Sequence, residues 1–401
     1  MTRDLLTELI HHPYEPPEGF ESAQVGVYKA STVIFPNTAA VRARNWKQKS
    51  GYTYGLHGTP TTFTLEERVA TLEGGAQALL APSGLAAIAM VNLALLTQGD
   101  EVLLPDNVYG SGKELVLGLL AGLGIGHKFY DGSAPETLAS AMSERTKLAW
   151  IEAAGSVTME FPDVRALVRI CRERGVTCAL DNTWGAGLAF RPFDLGDGLA
   201  VDISMQALTK YASGGGDVLM GAVVTRDDEL HQRIKRTHMH LGLGVGANDV
   251  EVVLRSLPSI ALRYEAQDRA ARQLARWCSS RREVAQVLHP ALPGSPGHGH
   301  WRALCSSAAG LFSVVFDAAY SQDQVDAFVD ALKLFRIGYS WGGPVSLAMP
   351  YDVPSMRTLE SPYRGSLVRF SIGLEAVADL QADLERALAV MGSAGGVSSA
   401  R

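Results

Sequence analysis

The sequence lacks the features that mark several large classes of protein. Only four of its 401 residues are cysteines, and no two of them form a CxxC pair, so neither a disulfide framework nor a thiolate metal site is indicated. The formal net charge of −6 disfavours a nucleic acid or an anionic membrane as the main partner. No apolar run reaches the roughly 20 residues of a membrane span, and the first residues do not resemble a signal peptide, so we expect a cytoplasmic protein.

Several ligand-binding motifs are missing as well. No GxGxxG follows the first predicted strand, and neither GxxxxGK[ST] nor a GxSxG elbow occurs. Dinucleotide, P-loop and serine-hydrolase chemistries are therefore disfavoured. The pieces HMH (238–240) and HGHW (298–301) lack a carboxylate or cysteine at ligand spacing, so we interpret them as loop or interface histidines.

What the sequence does contain is an alternation of apolar strands and amphipathic helices. This pattern predicts an α/β fold with a mostly parallel sheet covered by helices on both faces. From about residue 257 a long Ala/Arg-rich helix leads into a smaller α+β unit, and the length itself favours two domains. We therefore predict an N-terminal arm (1–60), a large domain (61–256), a small C-terminal domain (257–390) and a disordered tail (391–401).

One predicted helix is specified at both ends by local chemistry. In DVRALVRICRERG, Asp163 is placed to cap the N-terminus and Gly175 to end the helix. Leu167, Val168 and Cys171 fall on one face, which predicts a buried stripe.

Three residues are predicted to lie at the carboxyl edge of the sheet, where open parallel sheets bind ligands. Asp181 ends the strand VTCALD, and Lys210 follows the strand VDISM. Gly84 opens the helix after ALLAPS, where free N–H groups favour an anion. Pyridoxal phosphate needs this set: an amine, an acid beside its ring nitrogen and a phosphate cup. Each residue alone also has an ordinary structural role, so the spacing leaves both interpretations open.

Longer motifs resemble one family. The pieces are YGLHGTPT, LEGG, NVYG, DNTWGAG, LTKY, LHPALPGSPGH, SWGG and VRFSIGLE. Over nearly its whole length the chain resembles the Cys/Met-metabolism family of pyridoxal-phosphate enzymes, which have the aspartate-aminotransferase-like fold type I. The resemblance implies pyridoxal 5'-phosphate as cofactor and no metal. It also implies a homo-oligomer, a tetramer built from dimers that share active sites.

The resemblance assigns cofactor-binding roles position by position. Lys210 would bind the cofactor aldehyde and then move the proton, Asp181 would hold the pyridine nitrogen, and Tyr109 would stack on the ring and assist proton transfer. The phosphate would be bound by the backbone of Gly84 and Leu85, the hydroxyl of Thr209 and, from the neighbouring subunit, Tyr54.

The resemblance also assigns the substrate pocket. Arg369 would clamp the substrate α-carboxylate as a two-pronged donor, a geometry that lysine cannot reproduce. Ser340 and Trp341 would border the pocket, and Tyr54 of the arm would reach it as well.

Within the family, DNTW, YSWGG and EAAGSVTME resemble the β-acting lyases of cystathionine rather than the γ-acting members. The implied reaction is an α,β-elimination that releases homocysteine, pyruvate and ammonia, a step of methionine biosynthesis. The alternatives are a γ-acting lyase or synthase, a broader cysteine or cysteine-conjugate β-lyase, and a non-catalytic binding protein on the same fold.

Two positions depart from the family pattern. Many relatives have arginine in the arm where this chain has Leu56, and the loss of one charged phosphate contact would cost roughly 1.5 to 3 kcal/mol. We expect either His57 or the helix start to compensate. The common GHSD after the lysine is GGGD here, at 214–217.

Overall fold

The computed structural model describes residues 4–11, 18–49, 51–363 and 365–393. The α-helices are α1 (Leu5–Ile10), α2 (Thr38–Ala43), α3 (Pro60–Glu73), α4 (Gly84–Leu95), α5 (Gly110–Leu115), α6 (Pro135–Ala141), α7 (Val164–Arg174), α8 (Asp228–Leu241), α9 (Ala247–Ser256), α10 (Ile260–Cys278), α11 (His298–Leu304), α12 (Gln322–Ala331), α13 (Val353–Met356) and α14 (Val377–Ser393). The strands are β1 (Gln77–Ala81), β2 (Glu101–Pro105), β3 (Gly126–Tyr130), β4 (Thr146–Glu152), β5 (Thr177–Asp181), β6 (Ile203–Gln206), β7 (Gly221–Thr225), β8 (Val284–Leu288), β9 (Leu311–Phe316), β10 (Arg336–Ile337), β11 (Leu347–Tyr351) and β12 (Leu367–Ser371).

The large sheet has the order β1-β7-β6-β5-β4-β2-β3. Its pairings from β6 to β3 are parallel, and β7 runs antiparallel to both of its neighbours. Two hydrophobic cores flank this sheet, one under α3, α7 and α9 and the other under α4, α5 and α8. The predicted fold, a mostly parallel sheet covered on both faces, is confirmed.

A second sheet, of order β10-β11-β12-β9-β8, lies in the C-terminal part of the chain. The helices α10, α12 and α14 pack against it and enclose a separate core. Helix α10 is the long Ala/Arg-rich helix expected from residue 257 onward. Helix α14 continues through Ser393, so residues 391–393 of the predicted tail are helical, and residues 394–401 lie outside the described residues.

Local capping explains where several helices begin and end. Asp163 accepts a hydrogen bond from the N–H of Ala166, and Gly175 ends α7 in the left-handed conformation at φ 64°, as the sequence predicts. Thr59 caps α3, whose first residue is Pro60. Local hydrogen bonds therefore set where both helices begin.

The N-terminal arm lies against its own chain. Thr61 of α3 accepts a hydrogen bond from the N–H of Tyr28 and donates one to the carbonyl of Gly26. Lys49 forms ion pairs with Glu66 at 2.9 Å and Glu67 at 3.1 Å. The arm is therefore attached to α3 before it reaches the short helical turn Gly55–His57.

Candidate active site

A cavity of about 840 Å³ opens at the carboxyl ends of the parallel strands. Its walls come from the turn after β1, the loop after β2, the last residues of β4 and β5, and the loop after β6. Residues from the second sheet close the opposite side. Of the predicted site residues, those that line the cavity are Gly84, Leu85, Tyr109, Asp181, Thr209, Lys210, Ser340, Trp341 and Arg369.

Lys210 projects its amine toward the second sheet. Its Nζ donates a 2.7 Å hydrogen bond to the hydroxyl of Ser340 and lies 5.5 Å from the centre of the Trp341 ring. Burial, together with the nearby Arg369 guanidinium, lowers the pKa of Lys210 from 10.5 to about 8. An amine with this pKa has a neutral fraction near physiological pH that is far larger than that of an ordinary lysine, and this neutral form can act as a nucleophile or a base.

Arg369 lies on β12 and is almost fully buried. Its Nη2 donates to the carbonyl of Ser340 at 3.3 Å, and its guanidinium carbon lies 5.1 Å from the centre of the Tyr351 ring. Its Nε is buried and has no hydrogen-bond partner among the described residues. A buried cation with a free donor is suited to a carboxylate ligand.

Two carboxylates lie side by side at the floor of the cavity. Asp181 and Glu152 are the last residues of β5 and β4 and are paired in register. Each accepts a backbone hydrogen bond, Asp181 from Thr183 (2.9 Å) and Glu152 from Tyr109 (2.8 Å). Burial raises the pKa of Asp181, and burial with the neighbouring Asp181 raises the pKa of Glu152 well above its usual range. The pair would be stabilised by a cation.

The sequence prediction missed Glu152, although a signal was present. Glu152 ends the apolar strand KLAWIE in the same way that Asp181 ends VTCALD. Polar residues at the ends of neighbouring parallel strands meet at one sheet edge. Comparison of the two strand ends would have placed both carboxylates in the site.

The start of α4 forms a narrow backbone cradle. Ser83 caps this helix by accepting a hydrogen bond from the N–H of Ala86, and Ser83, Gly84 and Leu85 line the cavity. A Cβ at Gly84 would lie 2.8 Å from the Cβ of Ala207, and one at Gly221 would lie 2.4 Å from the carbonyl oxygen of Ser83. Glycine is therefore required at both positions for the chain segments to approach so closely.

Thr209 lines the cavity, but its hydroxyl is already paired within the protein. It donates to the carbonyl of Met220 at 3.1 Å and accepts from the N–H of the same residue at 3.0 Å. Phosphate binding by this hydroxyl would require it to exchange the bond to the Met220 carbonyl. The role predicted for Thr209 remains a prediction.

Tyr54 is the predicted site residue that does not line this cavity. Its side chain is 47% exposed in the arm, beside the His57 ring at 6.0 Å. His57 in turn shares a 2.7 Å hydrogen bond with the Thr53 hydroxyl, and burial lowers its pKa. Neither Leu56 nor His57 contributes to the wall of the cavity in its own chain.

The glycine run after Lys210 has a steric explanation. Gly214 has φ 67°, and a Cβ there would lie 2.0 Å from a guanidinium nitrogen of Arg263, which donates to the carbonyl of Tyr211. A Cβ at Gly215 would lie 2.4 Å from a carboxylate oxygen of Asp217. The loop is therefore packed by Arg263 and Asp217, and a larger residue at Gly215 would displace the carboxylate.

These groups fit pyridoxal phosphate. The paired buried carboxylates Asp181 and Glu152 suit a protonated ring nitrogen, the cradle at Gly84 suits a phosphate, and Lys210 offers the amine. Tyr109, 43% exposed at the start of α5, presents its ring at the same cavity. The fold and the site thus define an α/β enzyme of the pyridoxal-phosphate class.

Comparisons with known proteins give the family. The sequence profile of the Cys/Met metabolism PLP-dependent enzymes matches residues 6–389. The chain belongs to this family, and the family and cofactor predicted from the sequence are confirmed.

Three similar proteins illustrate the relationship. A cystathionine beta-lyase of Bordetella avium is 38% identical over 96% of each chain. An L-alanine/L-glutamate racemase of Wolbachia pipientis wMel is 33% identical over 90% of this chain and 91% of its own. The crystal structure of metB from Corynebacterium glutamicum superimposes with a TM-score of 0.88 at 28% identity, covering 97% of this chain and 98% of that one.

In the part of the chain that the structure describes, none of the helices has the length and apolar character needed to cross a membrane.

Proposed function

We propose that this enzyme catalyses the α,β-elimination of a thioether amino acid and, specifically, that with water it converts L-cystathionine to homocysteine, pyruvate and ammonia. The observation that carries the proposal is that Lys210 and Arg369 both donate hydrogen bonds to Ser340. A substrate whose α-carboxylate binds Arg369 has its α-carbon within reach of the Lys210 amine.

The proposed roles follow from this arrangement. Arg369 binds and orients the α-carboxylate, because its buried fork has a free donor. Pyridoxal phosphate, when bound, supplies an electron sink that stabilises negative charge on the α-carbon. Asp181 would keep the ring nitrogen of the bound cofactor protonated, and Tyr109, which lines the same cavity, would help to hold the ring.

Lys210 serves first as the base and then as the acid of the reaction. As a neutral amine it removes the α-proton, and as an ammonium it returns a proton to the sulfur that leaves from the β-carbon. Its lowered pKa suits both tasks near neutral pH. Ser340 holds the amine on the side of the cavity where Arg369 fixes the substrate.

We propose elimination at the β-carbon rather than the γ-carbon, and two observations support this choice. Trp184 and Trp341, which lie in the segments that resemble the β-acting lyases, line the cavity. The Bordetella relative, 38% identical, is named a cystathionine beta-lyase.

A second candidate function is racemisation of a small amino acid, which the Wolbachia relative favours. Both reactions begin with removal of the α-proton, and they differ in whether a leaving group is present on the β-carbon. The same Lys210 amine would serve in both.

We further propose that the arm completes the site of a neighbouring copy in a homotetramer made of active-site-sharing dimers. The exposed Tyr54, which lies outside the cavity of its own chain, supports this arrangement. Mixing a Tyr54→Phe chain with a Lys210→Ala chain tests it. If sites are shared, the mixed oligomers contain a site that carries neither substitution and regain activity, whereas unshared sites give no gain.

The deciding experiment is a substrate panel on the loaded enzyme. L-Cystathionine, L-cystine, L-cysteine and L-alanine are incubated with it, and pyruvate, 2-oxobutyrate, released thiol and D-amino acid are measured. Pyruvate and homocysteine in equal amounts from cystathionine support the proposal. Formation of 2-oxobutyrate instead shows γ-cleavage, D-alanine without pyruvate shows racemisation, and no product together with no uptake of the cofactor indicates a binding protein.

A further inference from the structure

One wall of the cavity is a segment between β11 and β12, residues 352–363, which we call the strap. Asp352, Ser355 and Met356 of the strap line the cavity. Strand β12, which the strap precedes, carries Arg369. The position of the strap therefore bears directly on the space beside the proposed substrate clamp.

The strap is tied to the large sheet by a buried carboxylate. Asp106, which follows β2 and is only 5% exposed, accepts hydrogen bonds from the backbone N–H groups of Thr358 (2.9 Å) and Leu359 (3.0 Å). Its remaining partner is Lys113 of α5, whose Nζ lies 2.7 Å away and also donates to the carbonyl of Met356 at 3.0 Å. Burial by itself would raise the pKa of Asp106, but these donors outweigh it and hold the pKa below its usual value.

A second tie lies a few residues along the strap. Tyr363 donates to Glu160 at 2.9 Å, and Asn107 donates to the same carboxylate at 3.1 Å. Arg357 donates to the carbonyl of Ser156 at 2.9 Å. Both ties thus begin from one dipeptide, Asp106–Asn107.

This dipeptide also precedes the ring that faces the cavity. Tyr109 comes two residues after Asn107, and its N–H is held by Glu152 of the cavity floor. Lys113 lies one turn further along the same helix. A single loop therefore positions Tyr109 and fastens the wall made by the strap.

We propose that Asp106 is a positioning residue that holds the strap against the cavity and so sets how tightly the part of a substrate beyond the leaving sulfur is enclosed. The effect on substrates rests on the proposed function, whereas the tie itself does not. Asp106 touches no part of the reacting groups. It acts through the strap, so its removal should affect long substrates more than short ones.

The test compares Asp106→Asn with Asp323→Asn, a matched change at an exposed aspartate of α12. In the loaded enzyme, Asp106→Asn should raise the KM for cystathionine roughly tenfold, as expected for losing one charge-assisted contact, and change the KM for S-methylcysteine and both kcat values less than about threefold. Asp323→Asn should match the wild type.

Cleavage by trypsin after Arg357 gives a readout that needs no turnover. Asp106→Asn should be cut there at least about fivefold faster than wild type, because local opening of the strap exposes the bond. Thr358→Pro gives a second variant, since it deletes one donor to Asp106 while the carboxylate and Lys113 remain. Trypsin does not cut before proline, so opening of the strap in this variant is read by amide hydrogen exchange of residues 352–363, which should be at least about fivefold faster than in the wild type. The preceding Arg357 is already extended at ψ 144°, as a following proline requires.

Unchanged cleavage in Asp106→Asn together with unchanged hydrogen exchange in Thr358→Pro would overturn the proposal, as would equal rises in KM for the long and the short substrate. If the wild-type enzyme turned over none of these substrates, the proposed function would fail, and the cleavage comparison would still decide whether Asp106 holds the strap.

Discussion

The hydroxyl of Ser340 accepts a 2.7 Å hydrogen bond from the Nζ of Lys210, and the carbonyl of the same residue accepts one from Arg369. Ser340 holds this place with its backbone at φ 88°, a left-handed conformation that costs a non-glycine residue of order 1–3 kcal/mol. The amine and the guanidinium are therefore brought together by a residue under conformational strain.

The protonation of Lys210 can be followed in the cofactor-free protein. Burial and Arg369 lower the pKa of Lys210 to about 8, whereas an unperturbed lysine titrates at about 10.4. The reactive neutral amine therefore forms at a lower pH in Lys210 than in an ordinary lysine. Labelling of Lys210 by an acylating reagent, read by mass spectrometry of its peptide, should rise with a midpoint near pH 8. Ser340→Ala removes an acceptor for the ammonium form and should move the midpoint lower. A midpoint near 10 in the wild type would contradict the lowered pKa.

Substitution of Arg369 by lysine should separate charge from geometry. Lysine keeps the positive charge but loses the planar fork, so we expect the KM for cystathionine to rise roughly ten- to a hundredfold. Arg386→Lys is the control, because Arg386 pairs with Asp383 outside the cavity. Steady-state kinetics that show equal, small effects for both variants would exclude Arg369 as the carboxylate clamp.

The loop between β10 and β11 packs closely against the backbone of Lys210 at Gly342. It has φ 80°, and a Cβ there would lie 2.9 Å from the nitrogen of Tyr211 and 3.0 Å from the carbonyl carbon of Lys210. Gly294 has the same left-handed conformation, at φ 89°, but a Cβ there would lie within 4 Å of no described atom, so Gly294→Ala is the control. Both changes should cost about 1–2 kcal/mol of backbone strain in thermal unfolding. Only Gly342→Ala should also lower kcat/KM, by at least about tenfold, and equal losses of activity would argue against the contact.

Glu73 makes stability depend on pH. It is fully buried at the end of α3, where it accepts hydrogen bonds from Asn182 and Ser204, and burial raises its pKa from 4.5 to about 7. A raised pKa favours the protonated form in the fold, so this stabilisation is complete below pH 4.5 and is lost as the pH rises through 7. Glu73→Gln should remove this pH-dependent loss of stability. The free energy of unfolding of the variant, relative to that of the wild type, should therefore increase by about 1–3 kcal/mol from pH 5 to pH 8.

Denaturant unfolding at the two pH values checks this prediction. The exposed Glu265→Gln is the control and should show no such difference. Glutamine fits the site because Asn182 Oδ1 and Gln206 Oε1, which are buried and have no partner in the part of the chain that the structure describes, can accept from the new amide after a side-chain flip. If the free energies of unfolding of Glu73→Gln and the wild type differed by the same amount at both pH values, Glu73 would have to stay ionised in the fold.

The parts of this protein that follow from local chemistry could be predicted from the sequence. Helix α7 begins after Asp163 and ends at Gly175 because capping needs only neighbouring residues. Lys210 and Asp181 could be placed because residues at the ends of parallel strands share one edge. The family motifs supplied Arg369, which spacing alone does not bring to the same cavity.

Other features depend on contacts that do not require a particular residue type, so the sequence does not reveal them. The strap is bound through the backbone N–H groups of Thr358 and Leu359, which almost any residue offers. The engagement of Thr209 with Met220 depends on the path of the chain into β7. Packing of Arg263 beside Gly214 joins segments about fifty residues apart, and sequence patterns do not encode such pairings.

The cavity is closed by contacts that span much of the chain. Lys210 and Ser340 are 130 positions apart, and Asp106 and Thr358 are 252 apart. Contacts of such long range form late in folding, because the entropy of closing the intervening chain must be overcome first. During synthesis, therefore, a chain that has not yet released β12 from the ribosome has the proposed cofactor lysine, Lys210, but not the proposed substrate clamp, Arg369, and the site is assembled only after β12 has emerged.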